Sequence, residues 1–119
     1  MKISSSLIAA LFAAAPAFSE APKVVNATAH NTGMGWDFDV TLAHGDTGWD
    51  HYADGWDIQT VDGMQIGYRE LLHPHEQEQP FTRSLGNVEI PDGVDTVLIR
   101  AHCSVDGWVG EPFAFKIER

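Results

Sequence analysis

The chain has 119 residues, with 7 Lys and Arg against 17 Asp and Glu, 6 His, and a net charge of −10 at neutral pH. One domain is the default at this length, and a chain that is 44% hydrophobic and 10% aromatic is not a disordered one. The charge argues against nucleic acid or a polybasic membrane-surface role, since both need a basic stripe; it suits metal ions and small cationic ligands.

The first segment reads as an address. Met1-Lys2 is positive, and Ile3 to Phe18 is apolar and uncharged. Ala15-Pro16-Ala17 and Ala17-Phe18-Ser19 both offer small-x-small cleavage sites. This is the pattern of a secretory signal peptide over residues 1–19, and the run is short for a membrane anchor. The expected mature chain is a single domain over residues 20–119, with no membrane anchor after cleavage. It keeps six cations against 17 anions, a net −11. The expected location is periplasmic or secreted. Cys103 is the single cysteine, so the fold has no internal disulfide.

Beyond the leader, period-two alternation broken by turn residues dominates. A weak strand reads over 24–30. Trp36, Phe38, Val40 and Leu42 then alternate with polar residues to form a half-buried strand over 36–43. Weaker strands follow at 56–61, 64–72 and 81–90, the last changing phase at Gly86-Asn87, as at a bulge. Val97, Ile99, Ala101 and Cys103 face one way over 96–105, and Phe113, Phe115 and Ile117 do so over 112–118. Asp-Gly at 54–55, 62–63, 92–93 and 106–107 marks tight turns. Seven short strands predict an all-β, immunoglobulin-like antiparallel sandwich, with a small closed barrel as the alternative.

Antiparallel connections alternate between the two ends of a sandwich. The second, fourth and sixth therefore share one end, and with them five of the six histidines. His73-Pro74-His75 is the sharpest short motif there. Residues i and i+2 of an extended chain point the same way, and imidazole suits copper or zinc. His51 and His102 are the candidates to complete a metal site with His73 and His75. His44, Asp106, Glu76 and Cys103 are alternative or supporting ligands. His44 carries on the inward phase of Trp36 to Leu42, and Cys103 lies on an apolar face, so both also read as core residues. Asp46, Asp50 and Asp54 lack the calcium-loop pattern. A second reading uses Trp49, Tyr52, Trp56 and Trp108 as a pocket for a sugar or a quaternary amine. No hydrolase, zinc-protease, phosphate-loop or dinucleotide motif is present, which leans against an enzyme.

The stretch from Trp49-Asp50-His51-Tyr52-Ala53-Asp54-Gly55-Trp56 through His73-Pro74-His75 to Glu78–Ser84 resembles a group of small uncharacterised exported bacterial proteins. The His73-Pro74 segment and the Cys103–Gly107 turn are also similar to superoxide reductase. That likeness implies an immunoglobulin-like fold and a histidine- and cysteine-bound iron, and hence a redox enzyme as a third reading. In this sequence Asp106 stands where that family's turn has its final histidine. The leading expectation is a transition-metal-binding protein handling copper or zinc.

Overall fold

The alternation along the second strand carries straight into three dimensions. Trp36, Phe38, Val40 and Leu42 are buried, the last three completely. The computed structural model describes residues 21–119; the leader expected over residues 1–19 lies outside them. Seven strands follow in chain order: β1 Lys23–Asn31, β2 Trp36–Ala43, β3 Ala53–Thr60, β4 Gln65–Glu70, β5 Phe81–Val88, β6 Thr96–Cys103 and β7 Phe113–Lys116. They form two antiparallel sheets, β1-β2-β5 and β4-β3-β6-β7. This is the expected immunoglobulin-like sandwich, with the fourth strand on the sheet of the third. No helix among the described residues is long and apolar enough to cross a membrane.

The inner faces bury Phe38, Val40, Leu42, Trp56, Ile58, Val97 and Ile99 to zero exposure. Each such side chain contributes about 1.5–3 kcal/mol by leaving water. Phe38 meets Phe115 of the opposite sheet edge-on, with centroids 5.9 Å apart. The phase change at Gly86-Asn87 is a bulge: the β2–β5 register slips between Trp36 and Phe38, and Asn87 takes a φ of 59°. Gly35 is required opposite it, because a Cβ there would stand 3.0 Å from the Asn87 backbone.

One expectation fails in an informative way. Asp54-Gly55 does not make a turn; it lies inside β3, which starts at Ala53 rather than at Trp56. Pairing with β6 overrides the local turn preference. Asp54 is accommodated by a register shift between Ala53 and Gly55. Farther along the pair, Asp57 opposite Arg100 fixes the alignment. The Arg100 guanidinium donates two hydrogen bonds to the Asp57 carboxylate, of 3.0 and 2.7 Å, and Gln65 donates a third. The Trp108 ring covers Arg100 at 4.2 Å. That register places Ala53 opposite Cys103, with Cys103 turned into the sandwich.

Phe38→Ala is expected to cost about 3–5 kcal/mol in urea unfolding, whereas Trp49→Ala, at a residue 68% exposed, should stay within about 0.5 kcal/mol.

Candidate functional site

Three connections meet at one end of the sandwich, as the strand count requires: residues 44–52, 71–80 and 104–112. They are tied by hydrogen bonds donated from main-chain N–H groups. Tyr52 N donates to Ser104 Oγ at 3.0 Å, and Ser104 N donates to Tyr52 O at 2.9 Å. His44 N donates to Gln79 Oε1 at 2.9 Å.

Asp46 sits where the first two connections touch, with a fully buried side chain. Its Oδ1 accepts from Ala53 N at 3.0 Å and its Oδ2 from His75 N at 2.7 Å. His44 Nδ1 lies 2.6 Å from Oδ1. Because the carboxylate is already accepting from backbone N–H, Nδ1 is the donor, and the lone pair of His44 is on Nε2. That nitrogen is buried and has no hydrogen-bond partner. A carboxylate holding one imidazole nitrogen so that the other faces inward bare is the arrangement metal-ligating histidines use.

His51 reaches the same place from a tight turn. His51 N donates to Gly48 O at 3.1 Å and Thr47 N donates to His51 O at 3.0 Å. Gly48 has a φ of 146°, a conformation that strains any residue with a side chain. The His51 ring stands edge-on to His44 with centroids 5.0 Å apart, and its Nε2 is also buried with no hydrogen-bond partner. Cys103 ends β6 on its inner face and is wholly buried. The turn that follows is closed by paired hydrogen bonds between Cys103 and Gly107, and Val105 N points at Sγ from 3.4 Å.

A ring nitrogen of His44, one of His51 and the Cys103 sulfur lie within 4.8 Å of one another. Tetrahedral zinc with bonds near 2.0–2.3 Å holds its donors about 3.3–3.8 Å apart, so the three donors, now within 4.8 Å of one another, close on one ion with shifts of at most about 1.5 Å. Asp106 stands at the rim. Its Oδ2 is 4.0 Å from His51 Nε2 and 3.8 Å from Cys103 Sγ, with the side chain 39% exposed.

The other expected ligands are placed elsewhere. The His73 and His75 rings do lie side by side, with centroids 4.5 Å apart and planes tilted by 40°, as residues i and i+2 on one side of the chain should. His75, however, lies flat on Phe81 at 3.8 Å, and its Nε2 accepts from the Arg83 guanidinium at 2.9 Å. Burial, then Arg83 and His73, push its pKa below the ordinary histidine value. A lone pair already used by a guanidinium does not serve a cation. His73 is exposed and turned to the Pro74 carbonyl, and Glu76 is exposed. His102 projects from the opposite face of β6 to Cys103, where it bonds Asp54 and meets Trp108 edge-on at 4.7 Å. None of His73, His75 and His102 belongs to the group around Cys103.

The aromatic set is likewise not brought together. Trp56 is a fully buried core residue, Trp49 is exposed and touches Tyr52, and Trp108 lies on the outer sheet face against Tyr68 and His102. Asp46 and Asp54 are each engaged by a histidine, His44 and His102 respectively. Sequence reasoning therefore gave His44 and Cys103 only a supporting place and did not see Asp46 as the carboxylate that orients the site. The inward phase of both strands was the signal.

The chain is similar to a Halomicrobium mukohataei protein described as "Putative lipoprotein", 41% identical over 96 residues, or 80% of this chain. The matched stretch is 47% of that protein, so the chain spans about half of its length. No family model matches the chain, and no solved structure matches it.

Replacing Asp46 strips an acceptor from two backbone N–H groups and from His44. Asp46→Ala is expected to destabilise by about 3–5 kcal/mol in chemical denaturation, and Asp46→Asn, which keeps one oxygen acceptor, by clearly less. The lowered pKa of His75 has a defined sign. The unfolded chain takes up a proton near the ordinary value of 6.5, and the folded chain takes it up only at lower pH. Stability carried by neutral His75 is therefore complete above that value and falls as the pH drops below it. His75→Gln should flatten this acid-side loss below the ordinary histidine value of 6.5, measured as the pH dependence of the urea midpoint.

Proposed function

We propose that this protein is an exported metal-binding protein that handles copper or zinc, holding the ion between His44, His51 and Cys103. One observation carries the reading: a ring nitrogen of His44, one of His51 and the buried Cys103 sulfur lie within 4.8 Å of one another, and each imidazole has a buried Nε2 with no hydrogen-bond partner. A buried polar atom with nothing to bond costs about 1–3 kcal/mol, and folded proteins rarely leave two side by side. Bound to a cation, both become bonded. Two imidazoles and a thiolate are a donor set for copper and zinc; magnesium and calcium take oxygen.

Export to the cell envelope, with the periplasm or the exterior as the setting, is supported by the leader pattern over residues 1–19. The name of the Halomicrobium mukohataei relative points the same way. In such a setting an unpaired thiol is exposed to oxidation, and a metal ion protects it by occupying the thiolate. The role that fits such a donor set is carriage or buffering of the ion.

The test is metal analysis of the purified chain, followed by titration with Zn2+ and with Cu+ under reducing conditions. One equivalent should bind with sub-micromolar affinity, and His44→Ala and Cys103→Ser should each weaken it by about a hundred-fold or more. His73→Ala should leave it unchanged. Affinity that survives both of the first two substitutions would overturn the assignment.

A further inference from the structure

Three protein donors leave one position of a tetrahedral ion unfilled. Resting on the metal site proposed above, we propose that Asp106 supplies the fourth donor and thereby tunes the site to a divalent ion, with Zn2+ favoured over Cu+. Its Oδ2 is 4.0 Å from His51 Nε2 and 3.8 Å from Cys103 Sγ, separations in the same range as those within the three-donor group. The placement follows from the turn. Cys103 N and Gly107 N exchange hydrogen bonds with each other's carbonyls, and Gly107 has a φ of 79°. That closed loop holds Asp106 over the sulfur three residues before it. Asp106 is the most exposed member of the set, with 39% of its side chain accessible against 16% for His51, so it stands between the buried donors and solvent.

Charge decides which ion this arrangement prefers. The Cys103 thiolate and the Asp106 carboxylate together carry two negative charges, which a divalent ion neutralises. A monovalent ion leaves one negative charge in a site whose other donors are buried, and an uncompensated buried charge is costly. The Asp46 carboxylate behind His44 biases the site in the same direction. Geometry agrees with charge: zinc takes four ligands in a closed tetrahedron, whereas two histidines and a thiolate alone make the trigonal set that suits copper. Asp106 is thus the residue that separates the two outcomes.

The experiment compares Zn2+ and Cu+ affinities, by competition with chelators of known strength, for the wild-type chain, Asp106→Asn, Asp106→Ala and Cys103→Ser. Asp106→Asn keeps an oxygen donor and removes the charge; Asp106→Ala removes both. The turn is exposed, and circular dichroism of each metal-free variant checks the fold. Zn2+ binding is expected to weaken about ten-fold or more in both Asp106 variants, with Cu+ binding changed by less than about three-fold. Replacement of Zn2+ by Co2+ should give a tetrahedral spectrum in the wild type that is altered in Asp106→Ala. If Cys103→Ser loses both ions while the Asp106 variants keep the wild-type Zn2+ to Cu+ ratio, the fourth-donor role is overturned and the three-donor site stands. If Cys103→Ser changes neither ion, the site itself is wrong and this inference falls with it.

Discussion

The carboxylate of Asp46 is a fully buried group that three parts of the chain share. Taking a carboxylate out of water is expensive, and only dense hydrogen bonding makes it tolerable. Here two backbone N–H groups and one imidazole N–H meet its oxygens. The first N–H belongs to Ala53, at the start of β3. The second belongs to His75, midway along the fourth connection. The imidazole is His44, just past the end of β2. One side chain therefore fastens two loops to a strand and, in the same act, fixes the tautomer and direction of His44. Stability of this end of the sandwich and orientation of the site are one interaction.

The rest of the fold brings the other donors to that point. β2 and β6 lie in opposite sheets and both end at the same pole. Their inward-facing residues continue past the apolar core as His44 and Cys103, so the last inward position of each strand carries a donor where the others carry hydrocarbon. The Asp57–Arg100 pair on the outer face holds the β3–β6 register that turns Cys103 inward and His102 outward. A slip of one residue would exchange those two side chains between the faces. The core thus serves as the wall of this pole, and Cys103 continues the buried face of Val97, Ile99 and Ala101, with the outer-face ion pair holding the same register.

Much of this is legible in the sequence, because period two is a strong signal. The seven strands, the bulge at Gly86-Asn87 and the gathering of five histidines at one end all follow from alternation and turn chemistry. The inward phase of His44 and of Cys103 is equally plain on the page. Their meeting follows once both strands are seen to end at one pole. The spacing of His73-Pro74-His75 satisfies a two-ligand rule, yet the structure groups His44, His51 and Cys103 instead. Local spacing does not reveal that Arg83, eight residues on, takes the His75 nitrogen, nor that Phe81 takes its face. Asp54-Gly55 misled for a related reason. The dipeptide prefers a turn, and long-range pairing with β6 draws it into a strand. Asp46 carried no signal at all, since an aspartate in a loop is ordinarily solvated; only its tertiary partners make it central.

A mixed nitrogen and sulfur donor set is what distinguishes this account from a site built on the exposed histidine motif. The most direct test is the X-ray absorption spectrum of the full chain loaded with one equivalent of zinc. A site formed by His44, His51 and Cys103 gives one sulfur at about 2.3 Å together with nitrogen or oxygen neighbours near about 2.0 Å. A first shell of nitrogen and oxygen alone, with no sulfur, would contradict it.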